Sequence, residues 1–145
     1  MTHMEDCKVL RATVEPHYNC CQSILVPFAA ELGMTREQAY ALGFNFGSGI
    51  RHGSACGALT GALMVLGALG YDEHTAAGLI RDFKANHGAT DCATLLKASH
   101  DRGEVKKAHC DGLVFEMLEF LDKLLAEKEY ENQRVGARSG AHSLV

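Results

Sequence analysis

Apolar residues recur at intervals of three and four along most of the chain, and no stretch alternates residue by residue. That spacing predicts helices and argues against strands. A first helix is expected from Asp6 to about Glu15, near Pro16. Asn19 is a plausible N-cap for a second, reaching to Gly33, with Cys21, Leu25, Phe28 and Leu32 on one face. Pro27 lies inside it and has no N–H to donate, so a kink or local break is expected there. Thr35 followed by Gln38 is a capping-box signature and opens a third helix to about Phe44.

A glycine-rich segment follows, Gly47-Ser48-Gly49-Ile50-Arg51-His52-Gly53. Three glycines in seven residues predict an irregular loop with left-handed backbone or close backbone approach. Ser54 is the expected cap of the next helix, Ala55 to about Leu69, closed by Gly70. Its length and apolar character mark it as the central buried helix. Asp72 and Gly88 bracket a fifth helix, Glu73–His87. Thr90 or Asp91 starts a short segment to Lys97, with a turn from Ser99 to Gly103. The last helix is expected from about Lys106 to Glu131, amphipathic through Leu113, Met117, Leu121, Leu124 and Leu125. The expectation is an all-α, compact helical bundle of about six helices. It forms one domain over residues 1–131, followed by a flexible tail over 132–145.

Composition narrows the function. Fourteen basic against eighteen acidic residues give a net charge of −4. A nucleic-acid partner is not expected, because phosphate binding needs a basic face. The longest apolar run, Ala55 to Leu69, is broken by Thr60 and three glycines and falls short of the ~20 residues of a membrane span. The N-terminal residues show no basic stretch leading into an apolar one. A cytoplasmic protein is expected.

Six cysteines then stand out: Cys7, Cys20, Cys21, Cys56, Cys92 and Cys110. No CxxC, CxxCH or Glu-x-x-His occurs, which excludes the usual thioredoxin motif, paired zinc knuckles, c-type haem attachment and a bundle di-iron site. Cys20 follows the cap Asn19, Cys56 comes two residues after Ser54, and Cys92 follows Asp91. Each falls in the first turn of an expected helix, where free N–H groups and the macrodipole favour a thiolate. Arg51 and His52 precede Cys56; His109 precedes Cys110, with Lys106 and Lys107 one turn earlier. Cys56, Cys92 and Cys110 share stripes with leucines that must face inward, and Cys20 flanks the same interior. Cys21, in register with Leu25 and Leu32, reads as a core residue. Buried free cysteine packs as a small hydrophobe, so inert packing is the alternative for each.

Four blocks of the chain resemble the small redox-protein family named for its cysteine pattern, C_GCAxxG_C_C. They are Tyr18-Asn19-Cys20-Cys21-Gln22, Gly47-x-Gly49-Ile50 with Cys56 to Met64, Phe83 with Gly88 to Leu96, and Cys110-Asp111-Gly112-Leu113-Val114. The resemblance implies an all-α fold and a redox role carried by Cys20, Cys56, Cys92 and Cys110. It also implies, in some relatives, iron–sulfur binding. Cys21 stands where the family commonly has a small residue, and Cys7 lies outside the pattern.

Three readings follow. The first is thiol/disulfide exchange or electron transfer with an unknown redox donor or acceptor. Cys56 would be the attacking thiolate, helped by its helix terminus and by Arg51 or His52, and Cys20 or Cys92 would resolve. The second is an iron–sulfur cluster or other thiolate-bound metal. Its ligands would be Cys20, Cys56, Cys92 and Cys110, and the Gly47, Gly49 and Gly53 loop would donate N–H bonds to sulfur. The third is a non-catalytic helical module for homodimerisation or partner binding, with structural cysteines, built on the small-residue face of Gly57 and Gly61.

Overall fold

In the computed structural model, seven α-helices follow one another through the described residues. These are 1–136 for the backbone and 1–129 for the side chains. The helices are α1 (His3–Ala12), α2 (Cys20–Leu25), α3 (Arg36–Gly43), α4 (Gly57–Ala68), α5 (Glu73–His87), α6 (Cys92–Asp101) and α7 (Lys106–Gly136). None is long and apolar enough to cross a membrane.

Helix α4 lies at the centre. Ala58, Leu59, Ala62, Val65 and Leu66 are all buried. Its neighbours are α2 and α7, and α1 closes the other side of α7. Phe28, Ile24, Leu25, Val114, Leu118 and Leu121 complete the interior. Each such buried side chain contributes about 1.5–3 kcal/mol of apolar transfer. The close approach of α2 and α4 depends on glycine. A Cβ on Gly57 would stand 2.8 Å from Phe46 O, and one on Gly61 would stand 3.0 Å from Ile24 Cβ. The small-residue face of α4 is therefore filled by α2 of the same chain, not offered to a second copy.

Several expected signals are present in the backbone. Asn19 and Thr35 form full capping boxes with Gln22 and Gln38, and Asp72 and Asp91 cap α5 and α6. Gly88, at φ 84°, ends α5. The break near Pro27 is real: α2 stops at Leu25 and a 3₁₀ turn runs from Val26 to Phe28.

Other boundaries differ. Helix α1 lies earlier than expected, because Thr2 caps it and Thr13 turns to extended backbone. Helix α6 continues to Asp101, four residues past Lys97, and the turn that follows closes on Gly103 at φ 80°. Helix α7 runs through Glu131 to Gly136, so the first five residues of the expected tail are helical. Residues 137–145 of that tail lie outside the described residues.

Candidate functional site

The local structure before α4 sets the site. Ser48, Gly49, Ile50 and Arg51 all adopt left-handed backbone. The loop bonds itself: the N–H groups of Arg51, Gly53 and Ser54 donate to Gly47 O, Ser48 O and Gly49 O. Of the three glycines expected to feed N–H bonds to a cluster, Gly53 already spends its N–H inside the loop. The glycines serve close packing. A Cβ on Gly49 would clash with Ser54 O and meet Cys92 Cβ at 2.7 Å, one on Gly53 would meet Ala93, and one on Gly47 would meet Asn19.

Ser54 does not cap α4. The chain from Ser54 to Cys56 is drawn into a short antiparallel bridge with the residues before α6. Cys56 N donates to Thr90 O at 2.9 Å, and Cys92 N donates to Ser54 O at 2.6 Å. Cys56 itself takes the N-cap position, and Cys92 is the first residue of α6.

Four elements bring the pattern cysteines to one cavity. Its volume is about 670 Å³, and Cys20, Cys56, Cys92 and Cys110 all line it. Cys20 comes from the start of α2, and Cys110 from one turn inside α7, not from its first turn. Arg51, His52, His109, Gly49 and Gly53 also line the cavity, whereas Gly47 does not. Cys7 and Cys21 are fully buried elsewhere in the core, and Cys21 Sγ lies 3.9 Å from Met64 Sδ. Burial pushes both thiols up to about 12.

The four cavity cysteines are not equivalent. Cys20 and Cys110 titrate as a pair: interaction with the Cys20 thiol lowers Cys110 to about 7, and the same interaction raises Cys20 well above the usual thiol range. A thiolate at Cys110 accepting from the Cys20 thiol is the arrangement that those opposite directions describe. Burial opposes the charge on Cys110, while Arg11 and Lys106 favour it. Arg11 was not singled out by sequence reasoning. Its side chain is only 9% exposed; Nε donates to Asp111 Oδ1 at 2.7 Å, and a second nitrogen donates to Tyr18 O at 3.1 Å. No motif marks it; only the packing of α1 on α7 carries it to the cysteines.

Burial raises Cys56 despite the opposing Leu59 and Ala58 amides, and it raises Cys92 despite Lys106. Neither Arg51 nor His52 contributes to the charge balance at Cys56. Arg51 is turned to Asn45 Oδ1 at 2.9 Å and Phe44 O at 3.1 Å, and His52 is exposed. All six cysteines are free thiols. Among the described residues, no group of three or more His, Cys, Asp or Glu side chains is arranged to hold a metal ion. The cysteines line a common space without forming the tight donor set that a single bound ion requires.

Residues 18–124 match the family described as "Putative redox-active protein (C_GCAxxG_C_C)". The chain belongs to the C_GCAxxG_C_C family. The match begins two residues before Cys20 and ends beyond Cys110, so all four cavity cysteines lie within it. No curated protein and no solved structure matches the chain. The family's description is redox activity, without a substrate or a cofactor.

Proposed function

We propose that this C_GCAxxG_C_C protein performs dithiol–disulfide exchange, with Cys110 as the attacking thiolate and Cys20 as the resolving thiol. The single observation that carries the reading is the meeting of Cys20 and Cys110 in one cavity beside the buried Arg11 guanidinium, with Cys110 lowered to about 7. A thiolate with a pKa near ambient pH combines availability with nucleophilicity. Cys110 Sγ attacks one sulfur of a disulfide, forms a mixed disulfide and releases the other half as a thiolate. Cys20 then loses its proton to solvent at the cavity mouth and attacks Cys110 Sγ. The Cys20–Cys110 bond forms, the mixed disulfide breaks, and the second half leaves. Two protein thiols are oxidised and the substrate disulfide gains two electrons.

This assignment moves the nucleophile from Cys56, expected on its helix position, to Cys110. Cys56 and Cys92, whose segments are tied by the main-chain bridge and which line the same cavity, would serve as a second pair. A cytoplasmic setting suits the reading, because reducing surroundings return the pair to the dithiol.

The test is mass mapping of the fully reduced protein after limited exposure to a small disulfide under anaerobic conditions. A Cys20–Cys110 linkage, with a trapped mixed disulfide on Cys110 in Cys20→Ser, is the expected result. A first mixed disulfide on any other cysteine overturns the assignment. Bound iron or zinc in anaerobically purified protein would instead restore the metal reading.

A further inference from the structure

The cavity walls are electrically one-sided. The chain has eighteen acidic and fourteen basic residues, yet Arg11, Arg51, Lys106 and Lys107 line the cavity and no Asp or Glu does. Two of these cations are already ion-paired, since Arg11 and Lys107 share the Asp111 carboxylate, each at 2.7 Å. The other two are not. Arg51 bonds only the neutral oxygens of Asn45 and Phe44, and Lys106 enters no ion pair among the described residues. Arg51 stands on the glycine-rich loop and Lys106 at the start of α7, and both are exposed. The volume of about 670 Å³ lies within the range of small-molecule sites.

We infer that the cavity binds a small organic anion, held by Arg51 and Lys106. On the dithiol reading above, on which this part rests, the substrate is a low-molecular-weight disulfide bearing carboxylates. Charges at a cavity mouth raise the local concentration and on-rate of an oppositely charged ligand and lose that effect in salt. The exchange balances as written above: the S–S bond of the anionic disulfide breaks, the Cys20–Cys110 bond forms, and the two halves leave as thiolates that take protons from solvent, to which Cys20 has released its own.

The test compares three small disulfides on the reduced full chain at low ionic strength: 3,3′-dithiodipropionate, bis(2-hydroxyethyl) disulfide and cystamine. Each rate is divided by that of the same disulfide with a small neutral thiol, which removes intrinsic reactivity. Dithiodipropionate should exceed cystamine by about tenfold or more, the gap should close at high salt, and Lys106→Glu or Arg51→Glu should shrink or invert it. Equal rates, or a preference for cystamine, overturn the inference while leaving the dithiol reading intact. Adipate, which cannot exchange, supplies the independent readout. It should raise the Tm of the native protein and not that of Lys106→Glu. If no disulfide reacts but adipate binds in this way, the anion cavity stands and the dithiol reading falls. If adipate does not bind and no charge preference appears, the anion cavity is refuted.

Discussion

Arg11 Nε and Asp111 Oδ1 meet at 2.7 Å although one hundred residues separate them in the chain. The pair ties α1 to α7 and leaves the guanidinium facing Cys20 and Cys110. Arg11→Met removes a buried charged hydrogen-bond donor and should cost about 1.5–3 kcal/mol in urea unfolding. Lys107 continues to compensate Asp111. The same change should raise the Cys110 pKa, read as an upward shift in the pH midpoint of its alkylation.

The thiols should titrate in widely separated ranges. Iodoacetamide labelling of native protein, mapped by peptide, should rise at Cys110 through a midpoint near the value of about 7. Cys7 and Cys21, at about 12, should stay unlabelled until the chain unfolds. Labelling of Cys21 ahead of Cys110 would contradict the burial and charge pattern described above.

Cys20→Ala removes the donor that holds the Cys110 thiolate. The midpoint for Cys110 should move up by about one pH unit or more, whereas Cys20→Ser, which keeps a hydroxyl donor, should move it less. Equal midpoints in both variants would show that Arg11 and Lys106 alone set the Cys110 charge.

Gly49→Ala puts a Cβ into left-handed backbone and against Ser54 O. The left-handed strain alone is worth about 1–2 kcal/mol. The variant should lose at least that much stability. It should also expose Cys56 and Cys92 to labelling, because the loop that presses on both segments can no longer close.

His3 should make stability depend on pH. Burial lowers its pKa, but hydrogen bonds to Asp122 at 2.7 Å and Glu31 at 2.9 Å overcome that, and the folded value lies above 6.5. A raised folded pKa stabilises fully below the unfolded value and fades as pH climbs through the folded one. The stability gap between wild type and His3→Gln should therefore be largest below about pH 6 and shrink in mildly alkaline buffer. A gap that widens with pH would reverse the assignment.

Helix caps and the Pro27 break were legible because each depends on residues three or four positions apart. Asn19 with Gln22 and Thr35 with Gln38 are local hydrogen-bond patterns, visible as such in the chain. The convergence of Cys20, Cys56, Cys92 and Cys110 was legible for a related reason. Cys56, Cys92 and Cys110 each share a helix face with leucines that have one place to go, and Cys20 flanks the same interior. What could not be read was charge. Arg11 reaches the thiols through packing between elements a hundred residues apart, and Arg51, five residues before Cys56 in sequence, is held at Asn45 and Phe44 rather than at Cys56 while still lining the cavity. The start of α4 was misplaced for the same kind of reason. The bridge to Thr90 is a long-range main-chain contact, and it displaces Ser54 from a cap it would otherwise make.

That bridge has a consequence for how the protein can vary. The spacing between the Cys56 and Cys92 backbones is fixed by amides and carbonyls, which every residue except proline supplies in full. Ala55 and Thr90 are thereby released from any duty of side-chain identity in keeping the two sulfurs in step. Because the donors are the amides of the two cysteines and the acceptors are carbonyls, divergent sequences can preserve the gauge between them whatever side chains stand at 54 and 90.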